Sequence, residues 1–273
     1  MISEGRLLSQ HGFAKANSWI IMIIAILLVA AGAVQFAYLL ALSHDSGVNF
    51  HSVLISAIFS LVLGIFLITL RHFIKPKQIY QLYENGILVI SKPENKSRFI
   101  PFENVMDIYL YRSGKYSRKI INTMAFRETT GKEWHHITPN IAHADRLIDV
   151  IKNQQLLFSG PQALSTLAQG GIVNFRYLIN CESKISHFLR NNFLLMNEKK
   201  LRLSARHLVS DDGHQIAVGD VQFISGGQNS QIIKLLDGNG RVLFSIPYTS
   251  LFSADLFIAL IEHMIHNRIP VSN

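Results

Sequence analysis

The chain reads WIIMIIAILLVAAGAVQFAYLLAL at residues 19–42, a run of 24 residues without a charge. As an α-helix this run would be about 36 Å long, enough to cross a hydrocarbon core of about 30 Å with some tilt. A second uncharged run, SVLISAIFSLVLGIFLITL, occupies residues 52–70 and would be about 28 Å long as a helix. The two runs predict a membrane hairpin with transmembrane helices at 19–42 and 52–70 and an external turn at 43–51.

The composition agrees with a chain that is partly withdrawn from water. Hydrophobic residues make up 49% of the chain and charged residues only 16%, against about 25% charged in ordinary globular proteins. The formal net charge is +8, a value that suits the basic flanks of membrane helices, anionic lipid or nucleic acid. Cys181 is the single cysteine, so an intrachain disulfide is excluded and a reducing compartment is favoured.

The basic residues around the hairpin predict its orientation. The turn contains Asp45 and no Lys or Arg, whereas basic residues flank both outer ends of the hairpin: Arg6, Lys15, Arg71, Lys75 and Lys77. By the positive-inside rule both termini, including the segment 1–18, should lie in the cytoplasm of a plasma (bacterial inner) membrane. A cleaved signal peptide is the rival interpretation, but its apolar core would be about 7–15 residues and a second spanning run would not follow so soon.

Small residues recur every four positions on both predicted helices, a spacing that lets two helix backbones approach closely. These predicted packing residues are Ala33, Ala37, Ala41, Ser56, Ser60 and Gly64. The alternative is that such residues are simply common in membrane helices. Neither run contains Asp, Glu, Lys, Arg or His, which argues against an ion pathway through one hairpin.

After Pro76 the periodicity changes from helical to alternating, which predicts a β-rich remainder. Strand-like runs and turns fill residues 78–152 and end in an amphipathic helix that begins near Ala142. The same order returns over residues 172–266. Arg98–Ile108 aligns without gaps on His214–Ile224, and each stretch later reaches an Ala-Asp pair that opens its closing helix. Two copies of one structural unit explain this best; chance similarity between two β-rich stretches is the alternative.

The stretches Tyr80-Gln81-Leu82-Tyr83-Glu84-Asn85-Gly86 and Ile100-Pro101-Phe102-Glu103-Asn104-Val105 resemble the opening strand-turn and a later apolar-x-aromatic element of bacterial PH-like domain membrane proteins. Many proteins of that group carry two N-terminal transmembrane helices and have no assigned activity. The resemblance implies an α+β cytoplasmic part made of two tandem PH-like units, each an antiparallel sheet or barrel closed by a C-terminal helix. It covers residues 78–152 and, more weakly, 172–266.

Between the two units, residues 153–171 are predicted to form a linker. Ser159-Gly160-Pro161 should break the chain there, and a short helix should follow at 162–169 because proline disrupts a helix interior. Residues 179–199 fit no single element.

No catalytic motif emerges from the sequence. Phosphate-binding, dinucleotide-binding, zinc-protease and serine-hydrolase signatures are all missing. A lone Cys181 indicates a nucleophile only with a base nearby, and His135 and His136 would point to opposite faces of a strand. We therefore expect no metal, no cofactor and no enzymatic activity.

Basic residues concentrate in the first unit. Residues 71–152 contain 14 Lys or Arg against 8 Asp or Glu, and many of them fall in two predicted loops. Near a bilayer each such charge attracts anionic lipid by about 1 kcal/mol. The candidate lipid-binding residues are Lys92, Lys96, Arg98, Arg112, Lys115, Arg118 and Lys119; solvated loop charges are the alternative. No basic helix or RNA-binding motif points to nucleic acid.

These observations favour a membrane-anchored, non-enzymatic binding or scaffold protein. Its tandem PH-like units would bind a protein partner or anionic lipid head groups at the cytoplasmic face. A regulator or immunity-type protein that acts through its transmembrane hairpin is one alternative, and an enzyme with an unrecognised site is another. The sequence does not define the oligomeric state or the partner.

Overall fold

The computed structural model describes residues 4–41, 50–74, 76–92, 96–111, 123–129, 133–179, 198–226 and 231–267. Its contacts divide the chain into two compact units. The hairpin unit comprises Gly12–Ile79 with Asn140–Ala142, and the β-rich unit comprises the chain up to His11, Tyr80–Pro139 and everything from His143 onward.

The hairpin unit contains two long helices, α1 (Lys15–Ala41) and α2 (Phe50–Ile74). Within them Trp19–Ala41 and Phe50–Leu70 are long and apolar enough to span a membrane. Large apolar side chains along both helices are exposed, among them Trp19, Leu27 and Phe59. A water-soluble hairpin would not leave so much apolar surface uncovered.

Two glycines bring α1 and α2 together. A Cβ atom at Gly32 would lie 3.0 Å from the carbonyl oxygen of Ala57, and one at Gly64 would lie 3.0 Å from the carbonyl oxygen of Ala25. Both distances are too short for a larger residue without movement of the backbone. The helices therefore approach each other more closely than larger side chains would allow.

The helix contact follows a seven-residue interval, through Ala25, Gly32 and Leu39 on α1 and Ala57 and Gly64 on α2, which are all buried. This differs from the four-residue pattern expected from the sequence. Of the predicted packing residues, Gly64 is in the contact and Ser60 is half-buried, while the others are exposed: Ala33, Ala37, Ala41 and Ser56. A seven-residue interval keeps one narrow stripe of a helix against its partner, whereas a four-residue interval drifts around the helix.

The first half of the β-rich unit contains a four-stranded antiparallel sheet, a 3₁₀ turn at Phe102–Asn104, a three-stranded antiparallel sheet and a long helix. The elements are β1 (Leu7–His11), β2 (Gln78–Tyr83), β3 (Gly86–Ser91), β4 (Lys96–Pro101), β5 (Asp107–Tyr111), β6 (Thr123–Arg127), β7 (His135–Ile137) and α3 (Ala144–Ala168). In the chain, α1 and α2 lie between β1 and β2 of one sheet. The N-terminal segment thus supplies a strand, which its position before a membrane helix did not suggest.

The second half repeats this order, with a 3₁₀ turn at Val218–Asp220 between a four-stranded and a three-stranded antiparallel sheet. Its elements are β8 (Val173–Leu178), β9 (Glu198–Leu203), β10 (His207–Ser210), β11 (Gln215–Ala217), β12 (Phe223–Ser225), β13 (Ile232–Leu236), β14 (Val242–Pro247) and α4 (Ala254–Asn267). All four sheets are open in the part of the chain that the structure describes, and no barrel closes there.

The two halves also share their local geometry. The residues before the two closing helices, His143 and Ser253, have φ angles of 55° and 50°, and they are the non-glycine residues with positive φ in the described chain. The backbone N–H of Val105 bonds to the carbonyl of Phe102 just as that of Val221 bonds to Val218, both at 3.1 Å. The expected Ala-Asp pairs begin α3 and α4.

Helix α3 continues through Pro161, so the expected break at 159–161 and the separate short helix at 162–169 are wrong. Buried residues remain in one stripe on both sides of the proline, from Leu147 and Ile151 to Ala163 and Leu167. Packing of that stripe against the β-rich unit stabilises the helix against the loss of one backbone hydrogen bond.

Large apolar side chains fill the core of both halves. The alternation in β2 points Tyr80 and Leu82 inward, where Tyr80 lies against Phe126 with ring centroids 6.2 Å apart. Gly86 opens β3 because a Cβ atom there would lie 2.4 Å from the carbonyl oxygen of Ile100.

Candidate binding groove

A groove of about 590 Å³ runs along the β-rich unit where its two halves meet. Its walls are formed by the first 3₁₀ turn, the start of β5, the second half of α3, the start of β8 and the chain before α4. Its lining residues are Glu103, Asn104, Val105, Met106, Asp107, Glu128, Thr129, Ser159, Gln162, Ala163, Thr166, Ile172, Val173, Asn174, Phe175, Phe252, Ser253 and Leu256. This volume is within the range of ligand pockets in proteins.

The groove is acidic. Three carboxylates line it and, among the described residues, no Lys, Arg or His does. Asp107 and Glu128 are neutralised by ion pairs with arginines. Glu103 lies on the exposed 3₁₀ turn at the rim. The groove therefore presents a net negative charge at Glu103, beside exposed apolar surface from Met106 and Ile172.

Beside the groove, four charged side chains form a ring that we call the ion-pair ring. Asp107 and Arg127 are buried, and Arg176 and Glu198 are half-buried. The Arg127 guanidinium donates to Asp107 Oδ2 at 2.8 Å and, in a bidentate pair, to both Glu198 carboxylate oxygens at 2.9 Å. Arg176 donates to Asp107 Oδ1 and Oδ2 at 3.0 and 2.8 Å. Each half supplies one arginine and one carboxylate, so the ring is neutral and joins the two halves.

Two aromatic rings lie against the Arg127 guanidinium. Its guanidinium carbon lies 4.4 Å from the centroid of the Trp134 ring and 5.7 Å from that of Phe252. Burial by itself would lower the pKa of Arg127, but the hydrogen bonds and charges of Glu198 and Asp107 outweigh it and raise the pKa. Arg127 is thus a permanent cation whose partners are all within the protein.

Ser253 forms a second connection between the halves. Its hydroxyl oxygen accepts from the Ile108 backbone N–H at 3.1 Å and from Gln155 Nε2 at 2.9 Å, and its own N–H donates to the Ile108 carbonyl at 2.6 Å. Lys152 of α3 pairs with Asp255 of α4 at 2.9 Å nearby. The hydroxyl is therefore fully engaged in holding the corner of the groove in place.

The structure describes three of the seven predicted lipid-binding residues. Lys92 directly follows β3 and Lys96 begins β4, and both are exposed; Arg98 is paired with Glu128 at 2.5 Å. The other four lie outside the described residues: Arg112, Lys115, Arg118 and Lys119. None of the three visible residues lines the groove.

The histidines of β7 lie on opposite faces of their strand. Burial lowers the pKa of His136 to about 4 and also lowers that of His135. In the described ranges no group of three His, Cys, Asp or Glu is close enough to hold a metal ion. Cys181 lies outside the described residues.

Sequence reasoning missed the groove and the ion-pair ring. The signal was present, because Asp107, Arg127 and Arg176 are single charges within otherwise apolar or alternating strands. A charge in a strand that is buried on both faces must find a partner. Which partner it finds depends on two segments that are far apart in the chain.

The fold and the groove define a class of protein in which a two-helix hairpin interrupts a β-rich unit that contains the same order of elements twice. The chain belongs to DUF6585, a family of unknown function whose family model matches residues 5–187. The matched region extends from just before β1, through the hairpin and α3, to just beyond β8. No curated protein and no solved structure matches the chain.

Proposed function

We propose that this chain is an integral membrane protein that acts as a non-enzymatic binding protein through two tandem PH-like units. The observation that carries the proposal is the acidic groove at the junction of the two halves. Side chains near it, such as Ser253 and Arg127, are engaged in structural hydrogen bonds and ion pairs. The groove is suited to holding a partner rather than to activating a nucleophile.

The membrane part of the proposal rests on the exposed apolar surface of α1 and α2. Lipid would cover these side chains, and the basic flanks would keep both termini in the cytoplasm of a plasma (bacterial inner) membrane. A reporter that is active only outside the cytoplasm tests this orientation. Fused at Gly47 it should be active and fused at Asn273 inactive, and an active Asn273 fusion would reverse the orientation.

The PH-like part of the proposal is supported by the repeated order of sheet, 3₁₀ turn, sheet and closing helix. It combines the resemblance of the stretches around Tyr80 and Ile100 with an element order that the structure repeats. In this interpretation the first unit begins with β1, which precedes the hairpin and lies outside the predicted boundaries of 78–152. The second unit begins with β8, which lies inside the predicted boundaries of 172–266.

We propose that the partner is a protein segment carrying a basic residue beside apolar ones. Glu103 would pair with the basic residue, and Met106 and Ile172 would contact the apolar side chains. An anionic head group does not suit this groove, because negative charge repels it.

Substitutions on one helix test the groove. Thr166 lines it and the neighbouring Ser165 does not, and both are exposed on α3. Thr166→Trp should block the groove, while Ser165→Trp serves as the matched control. The full-length variants would be used to capture partners from membranes in mild detergent. A partner retained by the wild type and by Ser165→Trp should be lost from Thr166→Trp.

Glu103→Lys should weaken the same capture by reversing the charge at the rim. If all four proteins capture the same partners with equal yield, the groove is not the binding site.

Anionic lipid is a second candidate ligand, favoured by the exposed Lys92, which directly follows β3, and the exposed Lys96, which begins β4. The full chain would be reconstituted in nanodiscs with neutral or anionic lipid, and hydrogen exchange would be followed at residues 92–98. Anionic lipid should protect this stretch, and salt or substitution of both lysines by Gln should remove the protection. Exchange that is the same in both lipids would leave these lysines as solvated charges.

A further inference from the structure

Strand β8 is an edge strand, and the groove runs along its first half. Its neighbour in the sheet is β9, and its other side is the edge of that sheet. Val173, Asn174 and Phe175 of β8 line the groove, and Asn174 is exposed. The edge of a sheet presents backbone N–H and C=O groups to which another extended chain can bond.

The backbone N–H and C=O of Asn174 point away from β9. Arg176 of β8 pairs with Lys200 of β9. The Lys200 carbonyl accepts from the Asp211 N–H at 3.0 Å, on the side of β9 that is remote from β8. The Arg176 carbonyl accepts from the Phe252 N–H at 2.8 Å, on the outer side of β8. Because backbone direction alternates along a strand, Asn174 has the same orientation as Arg176 and faces the groove.

A short extended segment of the chain already pairs with the second half of this edge. Leu251 forms an antiparallel bridge with Tyr177, and Phe252 donates to the Arg176 carbonyl beside it. The segment leaves the edge at Ser253, where a φ of 50° turns the chain into α4. The place next along the edge, beside Asn174, is where the groove opens.

We propose that the protein segment bound by the groove adds to β8 as an extended antiparallel strand. This inference rests on the proposed function, because it gives the binding mode of that partner at the same site. The segment would exchange N–H···O bonds in both directions with Asn174, as an antiparallel neighbour does. It would continue the line of residues 251–253 along the edge.

The side chains of such a segment follow from the walls of the groove. Strand addition draws its affinity from main-chain hydrogen bonds and its specificity from alternate side chains. Glu103 supplies a negative charge at the rim, and Met106 and Ile172 supply exposed apolar surface. A segment in which apolar and basic residues alternate is therefore complementary to the groove in both charge and apolar surface.

A defined peptide tests the main-chain bonds. The probe is fluorescein-labelled Ile-Lys-Ile-Lys-Ile-amide, and its binding to the full chain in nanodiscs of neutral lipid is followed by fluorescence anisotropy. The wild type should bind the probe. The same peptide with methylated backbone nitrogens should bind about tenfold more weakly or not at all, because it keeps the side chains and the charge but loses the donors. A wild type that binds both peptides equally, or neither, would overturn the proposal.

Proline on the strand edge provides the matched variants. Asn174→Pro removes an N–H that does not bond to β9, a position where strands accept proline, and should weaken the probe about tenfold or more. Gln215→Pro is the control on β11, the other edge strand of the same sheet. The bonds of β11 to β10 there run through His214 and Val218, so this variant should bind like the wild type.

Asn174→Ala keeps the backbone and should also bind like the wild type. The methylated peptide keeps the test independent of how well Asn174→Pro folds. Equal binding of the probe by Asn174→Pro and Gln215→Pro would count against strand addition.

Failure of this inference can be told apart from failure of the proposed function by the capture experiment. If Thr166→Trp loses the captured partner but Asn174→Pro keeps it, the groove holds its partner in another conformation and only strand addition is wrong. If both variants keep the partner, the groove is not the binding site and both proposals fall.

Discussion

At the scale of single residues, Arg127 connects the two halves of the β-rich unit. Arg127→Met removes the cation that buried Asp107 and half-buried Glu198 share and leaves Arg176 alone to compensate them. Loss of one partner from a buried charge network typically costs about 3–5 kcal/mol. We expect a loss of this size in the free energy of unfolding, measured in detergent in a Trp19→Phe background through the fluorescence of Trp134, which Arg127 contacts.

The matched control for Arg127 is an arginine whose own side chain is half exposed. Arg98 bonds to Glu128 with its side chain about half exposed, and Arg98→Gln should cost at most about 1 kcal/mol. Equal losses in Arg127→Met and Arg98→Gln would show that the ion-pair ring does not hold the halves together.

A second prediction at this scale concerns acid. Burial lowers the pKa of His136 to about 4, against about 6.5 in an unfolded chain. Between these values the unfolded state binds the proton that the folded state excludes. Stability is therefore complete above about pH 6.5 and falls as the pH drops toward 4, by at most about 3 kcal/mol from this residue.

His136→Gln should reduce the loss of melting temperature between pH 7.5 and 4.5. The exposed His263 of α4 supplies the control, because His263→Gln should keep the acid sensitivity of the wild type. If His136→Gln is as sensitive to acid as the wild type, other groups govern the effect.

At the scale of elements, the contact between α1 and α2 depends on glycine. A Cβ atom at Gly64 would lie 2.6 Å from Val29 Cγ2 and 3.0 Å from the Ala25 carbonyl oxygen. Gly64→Leu should therefore lower stability by about 1–3 kcal/mol, seen as a lower melting temperature in detergent. Ala37→Leu, on an exposed side of α1, should be nearly neutral; the reverse order would place the contact on the four-residue pattern.

The corners before α3 and α4 share a backbone conformation but differ in their side-chain contacts. His143→Gly relieves a positive φ at an exposed side chain and should be neutral or stabilising by at most about 1 kcal/mol. Ser253→Gly relieves the same strain but leaves the buried Ile108 N–H without its acceptor and takes one of two close acceptors from Gln155 Nε2, which keeps the Met106 carbonyl; this should cost about 1–3 kcal/mol. Denaturant titration of both variants measures the free energy of unfolding, which His143→Gly should leave unchanged or raise and Ser253→Gly should lower.

At the scale of the whole molecule, the two halves of the β-rich unit should fold together. The second half supplies Glu198, which pairs with Arg127, and Leu178 and Phe252, which pack near Trp134. A chain truncated after Gly170 would lose these contacts and expose Arg127 and Trp134 to water. We expect this truncated chain to lose protection from proteolysis at β5–β7, compared with the full chain at equal amounts. A truncated chain that resists protease as well as the full chain would show that the first half folds alone.

How far the sequence predicts this structure depends on whether the signal is local. The two hydrophobic runs, the alternating strands, the helix that starts at Ala144 and the repeated order were readable, because each depends on the spacing of apolar residues within a short stretch. The continuation of α3 through Pro161 was not readable, since packing along the whole helix outweighs one local preference. The helix contact at Gly32 and Gly64 was misplaced for a related reason: both intervals contain small residues, and only the partner helix selects between them.

The sequence by itself determined the two membrane-length helices, the β-rich remainder and the recurrence of its elements, since these follow from hydrophobic periodicity and chain order. Only the tertiary structure decided that β1, before the hairpin, pairs with β2, that four charges from two halves close into one ring, and that the edge of β8 faces the groove. Such features join residues that are distant in the chain. Their energy comes from mutual burial and charge pairing, which no short stretch of sequence contains.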